Sequence, residues 1–514
     1  MRAIHLVPAA LVVVALGAIG GLAQLGHPAA PAPVPSPAAT RQVLVTSAAR
    51  ACPPAPGGGA VPVALLAGGA SATGQGQVEL TALPPAGLPV RATGPVRAHS
   101  PGALSLLTLP AVPAATRAKA KNGTPAVQGW SVAGGGTMAQ GMEAELTRGS
   151  GLASVRCAAP SSDLWFLGPG QANGGSKVQL DLMNVDSTTA SVDISVINDA
   201  GQAQVGSDSG ITVPPHQTVT QSLSSVAHGS SVLAIEVHTS IGRVAAAVSA
   251  ESGGVTNWLP GTASPSTRLV IPGVPPSGST AGLFVADPGT STAKVTVAAI
   301  TPQGHIRPFG SQSVDLPGQS ASFVSLSPLG GTTAALQLTS NVPVAAAVLV
   351  PGSGPGVLTS ATAPISEQAI VAGNTSGAGL AASVLLSAPG GAARVRLTEI
   401  APADRASTNG TAAKGTGAKG TGSSVTASQV VSVKAGRTLA APVKAPKGAK
   451  HGSAFAVVIT PLAGSGPVYA ARVETQDQKT VVSIIPAASA LTTISLRPVG
   501  DSYDAIWPEG DPGG

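Results

Sequence analysis

Ala190-Ser191-Val192-Asp193-Ile194-Ser195-Val196 alternates apolar and polar residues without a break. Successive side chains on a strand point to opposite faces, so Val192, Ile194 and Val196 share one face and Ser191, Asp193 and Ser195 share the other. That period of two predicts a strand with one buried face. Leu180-Asp181-Leu182-Met183-Asn184 precedes it and Gly201 follows it. At a shift of 103 residues, Leu283, Val285, Asp287, Ala293, Val295, Val297, Ala299 and Gly304 fall in the same slots. Val213-Pro214-Pro215 matches Leu316-Pro317-Gly318 at the same shift, and Val244-Ala245-Ala246-Ala247-Val248 matches Val344-Ala345-Ala346-Ala347-Val348 at a shift of 100.

A looser third copy continues the pattern. Ala393, Val395 and Leu397 stand for the alternating strand, Val433 and Gly436 for the turn, and Val468-Tyr469-Ala470-Ala471 for the last strand. Each copy opens with a short apolar strand ending in Gly or Pro: Trp165-Phe166-Leu167-Gly168, Leu269-Val270-Ile271-Pro272-Gly273 and Ala369-Ile370-Val371-Ala372-Gly373. Ile494-Ser495-Leu496 follows the third copy and is expected to close its sheet. The stretch from Asp404 to Ser424, rich in Gly, Thr, Ala and Lys, has too little apolar content for a core and is expected to be a disordered insertion.

Internal repetition at this length, short strands and frequent turn residues define the expected fold. It is all-β: tandem Ig-like antiparallel β-sandwich units preceded by one N-terminal apolar helix. The expected organisation is a signal peptide or transmembrane anchor over 1–25, a Pro/Ala-rich linker over 26–40 and a divergent N-terminal β unit over 41–160. Repeat 1 covers 161–266, repeat 2 covers 267–366 and repeat 3 covers 367–514, the last with the insertion at 404–424. Strands are expected in the N-terminal unit around Val43-Leu44-Val45, Val61 to Leu65 and Gly129-Trp130-Ser131-Val132.

Charged residues make up 10% of the 514-residue chain and aromatic residues 2%, against roughly 25% charged in an average soluble domain. Cores built from such a chain are thin and aliphatic. A net charge of +6 on this length is mild, and no aromatic residues interleave with the lysines from Lys414 to Lys450. That pattern argues against nucleic acid as a partner.

Arg2 followed by apolar residues from Ile4 to Leu25 reads as an export signal, and some 20 apolar residues also suffice to span a bilayer. Either reading places the rest outside the cytoplasm, on the extracellular side of the cytoplasmic membrane, anchored or secreted. The cysteine count agrees. Cys52 and Cys157 are the only two, and an even count in an oxidising compartment favours one disulfide over two free thiols or a metal pair.

Motifs for catalysis are missing or out of context. Gly134-Gly135-Gly136-Thr137-Met138-Ala139 fits a loose dinucleotide pattern without the helix that pattern needs. Ser291-Thr292-Ala293-Lys294 fits Ser-x-x-Lys but runs into a strand, and Lys beside Ser requires a helix. His216, His228 and His238 read as exposed loop residues, since copy two has Gln319 and Thr332 near two of the equivalent places. Trp130, Trp165, Trp258 and Trp507 read as core or inter-unit anchors rather than a sugar platform. No metal or cofactor is expected, and no catalytic residue is assigned.

The order Cys52-Pro53, Gly-Gly near 135, Arg156-Cys157-Ala158-Ala159-Pro160, Trp165-Phe166-x-Gly168-x-Gly170 and Asn184 resembles an actinobacterial family of secreted or membrane-anchored proteins catalogued only as a domain of unknown function. The resemblance spans about residues 40–500. It implies a cell-envelope setting and brings no activity.

The expected function is therefore that of a non-catalytic cell-envelope protein. It would scaffold or bind an envelope protein or a cell-wall glycan, with the N-terminal segment contacting the membrane. Two alternatives stand beside it: an accessory subunit of an envelope glycosyltransferase, and a carbohydrate-active hydrolase. The hydrolase reading would gather carboxylates such as Asp163, Asp181, Asp193, Glu236 and Glu251 into one cleft.

Overall fold

The computed structural model describes residues 41–54, 61–68, 76–88, 101–109, 129–147, 154–171, 177–203, 209–252, 255–276, 280–307, 313–326, 331–352, 356–377, 379–402, 424–450 and 452–496. The apolar segment 1–25, the linker 26–40, the insertion 404–424 up to its last residue, and Trp507 lie outside these residues. The described chain is nearly all β, 67% strand in antiparallel sheets and 2% helix. Its helices are Ser224–Ala227 and the 3-10 turn Thr137–Ala139, and no helix among the described residues is long and apolar enough to cross a membrane.

Contacts divide the chain into two units, Met1–Val43 with Ile494–Gly514, and Leu44–Thr493. Strands Arg41–Leu44 and Thr493–Leu496, all but one residue of each in the first unit, pair with each other in a two-stranded ribbon. This corrects the expectation that Ile494 to Leu496 closes the last repeat's sheet. The place beside Tyr469–Gln476 in that sheet is already taken by Thr480–Pro486.

Among the described residues, the sheets of the second unit form four facing pairs. In pair A, the sheet Ser47–Cys52, Gly129–Gly136, Gly76–Leu83 faces the sheet Leu104–Leu109, Val61–Leu66, Glu143–Leu146, Val155–Arg156. They share a core that includes Val63, Leu65, Leu80, Trp130 and Val132. The disulfide Cys52–Cys157 is fully buried in the same core. The glycines 134–136 end a strand and lead into a three-residue 3-10 turn, so no α-helix follows them.

In pair B, Lys177–Met183 lies between Thr218–Ser222 and Ala245–Ser252 in one sheet. Ala190–Asn198, Val232–Ile241 and Asp163–Pro169 run side by side in the other. Val192, Ile194 and Val196 are buried between the two, and Ser191, Asp193 and Ser195 are half-buried on the reverse face, as their alternation requires. Pair C repeats this plan, with one difference. Its strand Ala334–Val350 belongs to both sheets: Ala335 to Ser340 pair with Ala293–Thr301, and Ala345 to Leu349 pair with Ala281–Asp287. In pair D, Ala393–Pro402 lies between Phe455–Pro461 and Ser424–Val433, and Leu380–Ala388 lies between Arg437–Val443 and Tyr469–Gln476.

The turn before the second half of each repeat is the same. His216, Gln319 and Gly436, each three residues beyond Val213, Leu316 and Val433, have φ of 52°, 55° and 66°. That left-handed conformation is easy for glycine and strained for His and Gln. Its recurrence fixes the register of the third copy independently of its weak sequence match.

The reverse faces decide how the pairs assemble. Ala51 and Leu83 of pair A pack on Met183, Ala245, Ala247 and Trp258 of pair B. Trp165, Leu167 and Ala234 of pair B pack with Phe284, Ala286, Ala345 and Ala347 of pair C. Leu269 and Ile271 of pair C join a cluster with Leu385, Ala471 and Ile484 of pair D. Ile370, Ala372 and Val458 of pair D pack on Ala64, Leu66 and Leu104 of pair A. The four pairs thus follow one another in a closed circuit within this unit. Small alanines on these faces let sheet approach sheet, which explains why a chain with few aromatics can still bury both sides of its sheets.

Candidate functional site

All four pairs contribute to one cleft of about 770 Å³. Pair A supplies Val155, Arg156 and Ala158; pair B supplies Phe166, Trp258 and Leu259; pair C supplies Phe284, Phe323 and Leu358; pair D supplies Val482, Ile484 and Ile485. The rim is wet at Ala159, Ser231, Phe323 and Ala488, which are exposed. A second hollow of about 420 Å³ shares Phe323, Leu349 and Gly356 with the first and extends to Thr280, Gly282 and Pro351. Phe323 therefore stands where the two meet, its ring 5.2 Å from that of Phe284. Volume and apolar lining fall in the range of sites that enclose a small molecule.

Among the described lining residues, Arg156 is the one charged side chain. Its Nη2 donates to the Ile370 carbonyl at 3.3 Å, and its Nε lies 3.6 Å from Glu143. Glu143 is held more closely by Arg50, at 2.8 Å, so Arg156 is only partly neutralised. Four lining residues carry a buried polar atom with no hydrogen-bond partner: Ser154 Oγ, Gln171 Nε2, Trp258 Nε1 and Thr362 Oγ1. Buried polar groups are normally satisfied, so such a concentration around one cleft is unusual.

Behind Ser483 of the cleft wall lies a buried ionic cluster. Arg472 is fully buried; its Nη2 donates to Ser483 Oγ at 2.8 Å, and its Nη1 donates to Glu145 Oε1 at 2.6 Å and to the Gly373 carbonyl at 2.9 Å. The other oxygen of Glu145 accepts the Gly373 N–H at 3.1 Å, and Glu474 accepts the Thr375 N–H at 2.7 Å. Burial opposes the Arg472 charge, but Glu145 and Glu474 outweigh it, and the guanidinium is held above its usual pKa. Glu145 belongs to pair A and Arg472 to pair D, so this cluster fastens the circuit where its chain ends meet.

The structure separates the carboxylates considered for hydrolysis. Asp163, Asp193 and Glu236 share one face of pair B: Asp193 is opposite His238, His238 opposite Asp163, and Ser195 opposite Glu236. Burial, and then the neighbouring Asp163, push Glu236 above the usual carboxylate range. Asp181 is on another sheet, buried, and accepts from Thr220 Oγ1 at 2.6 Å; burial pushes its pKa up to about 6 against that hydrogen bond. Glu251 is exposed at the end of its strand. None of the five lines the cleft. His228 and His238 are exposed and His216 half-buried in its turn. No group of His, Cys, Asp and Glu among the described residues has metal-ligand geometry. Trp130, Trp165 and Trp258 are buried, Trp258 in the contact between pairs A and B and in the cleft wall. The cleft itself was invisible to sequence reasoning, because its lining comes from four distant stretches whose residues look like ordinary core.

Fold and site define an all-β protein organised around an apolar cleft. A family model described as a family of unknown function (DUF5719) matches residues 113–418, more than half of the chain, and the protein belongs to that family. Searches of curated proteins and of solved structures return no match.

Proposed function

We propose that this is a non-catalytic binding protein of the cell envelope, built from four Ig-like β-sandwiches and exported by its N-terminal segment. The observation that carries the reading is the lining of the central cleft. It is apolar, and the single charged group among its described lining residues is a guanidinium, a poor acid or base at neutral pH. A site of that chemistry holds a molecule rather than transforming it. The buried disulfide suits an oxidising exterior. The resemblance to actinobacterial secreted and membrane-anchored proteins supports the same location. An envelope protein or a wall glycan is the partner this setting offers, through the cleft and its exposed rim, and a role as accessory subunit to a glycosyltransferase fits the same surface. The test is capture from solubilised envelopes on the immobilised protein, with wall polymer as a second bait. Reproducible recovery of a protein or glycan is expected; empty capture from both would overturn the partner assignment.

A second reading, hydrolysis of wall carbohydrate, has one observation in its favour: Asp163 and Glu236 share a sheet face, and Glu236 is shifted toward the protonated form. It predicts release of soluble sugar from wall polymer that disappears in Glu236→Gln.

A further inference from the structure

We infer that the cleft binds a single-chain anionic amphiphile, an acyl chain carrying an acidic head. The inference rests on reading the cleft as a binding site, and it names what the cleft takes.

The shape points to a chain. The larger hollow and the smaller one share Phe323, Leu349 and Gly356, so their linings together reach from pair A to the far side of pair C. A compact ligand would fill one hollow; a flexible hydrocarbon can follow both. Phe323 is 42% exposed and lines both hollows. An apolar ring left in water at such a junction is what a hydrocarbon chain would cover.

The head is specified at the other end. Arg156 comes from pair A, whose neighbours in the circuit are pairs B and D, while Phe323 belongs to pair C across from it. Arg156 and Arg50 share Glu143, one on each carboxylate oxygen, so the two guanidinium groups carry one positive charge more than this carboxylate offsets. Ser154, two residues away, has a buried hydroxyl without a partner, and Trp258 and Gln171 add unpartnered N–H groups in the same walls; all three residues are more than nine-tenths buried. All four unpaired atoms are in groups that can donate, and Arg156 is the one charged lining group among the described residues, so the complementary head is an acceptor-rich anion. A carboxylate and a phosphate monoester both meet that description.

The test uses the full chain freed of bound lipid, titrated with palmitate, with palmitoyl-lysophosphatidate and with hexadecanol by displacement of a fluorescent fatty acid. Saturable one-to-one binding of an acidic chain is expected, with hexadecanol at least about tenfold weaker. Preference between the first two assigns carboxylate or phosphate. Arg156→Gln should weaken the acidic chains about tenfold and leave hexadecanol unchanged. Leu349→Trp, which fills the junction, should weaken all three with unaltered thermal unfolding. No saturable binding of any chain, or acidic-chain affinity indifferent to Arg156→Gln, would overturn the inference. A protein that binds wall glycan or an envelope protein but no chain would refute this inference and leave the proposed function standing.

Discussion

Replacing Arg472 by methionine tests whether the contact between pairs A and D holds the circuit shut. The guanidinium is fully buried and donates to Glu145, to the Gly373 carbonyl and to Ser483. Methionine fills similar space and removes all three bonds. Glu145, whose side chain is 3% exposed, keeps only the Gly373 N–H and becomes a buried charge without a counter-ion. Breaking a buried pair from one side costs about 3–5 kcal/mol. The loss should appear in urea unfolding followed by far-ultraviolet circular dichroism, in the transition that opens pairs A and D. Removing the closer pair of charges is a different matter, since a neutral amide at 145 still accepts the Gly373 N–H. Arg472→Met with Glu145→Gln should therefore recover part of the loss, the remainder staying with Glu474, which is buried and 4.0 Å from the guanidinium that is removed. A single variant destabilised by less than about 1 kcal/mol, or a double variant whose losses simply add, would refute the reasoning.

Asp181→Asn should stabilise the protein at pH 8 and not at pH 4. The folded pKa of about 6 lies above the unfolded 3.8, so this group's stability is complete below about pH 4 and lost as pH rises through 6, a difference of about 3 kcal/mol between the two plateaus. Urea unfolding at the two pH values measures it. The disulfide closes a separation of 105 residues with both sulfurs in a sealed core, so mild reductant should leave the native protein oxidised. Cys52→Ala with Cys157→Ala should cost up to about 5 kcal/mol in the unfolding of pair A. Gly273→Ala should cost about 1–3 kcal/mol by thermal denaturation, because φ is 88° there and an added Cβ would meet the Ala471 side chain at 2.6 Å.

The strands were legible because burial on one face leaves a period of two in the residues. Val192, Ile194 and Val196 against Ser191, Asp193 and Ser195 needed nothing else. The loose third copy was legible through its turn, since Gly436 stands where the backbone must turn left-handed. Assembly was not legible. Reverse faces such as Ala345 and Ala347 carry alanine, which reads as neutral filler and turns out to be the contact surface. The strand Ile494 to Leu496 misled because alternation specifies a strand and not its partner. The cleft escapes for a related reason: Arg156 reads as part of a motif around Cys157, and nothing local distinguishes it as the one charge among the described residues of an apolar wall. The buried ion cluster left no trace either, as Glu145 and Arg472 are far apart in the chain and charged residues are ordinarily read as surface.

The closed circuit of four sheet pairs is the claim on which the cleft depends, and one crosslinking measurement reaches it directly. Thr147 is half-buried at the edge of pair A, and its methyl group lies 2.8 Å from where a Cβ on Gly373 of pair D would stand. With benzoylphenylalanine at position 147, irradiation of the folded protein should join this residue to the segment around Gly373, read by mass spectrometry of the linked peptides. Crosslinks confined to pair A, with none to pair D, would mean an open string of sheet pairs and would contradict the account.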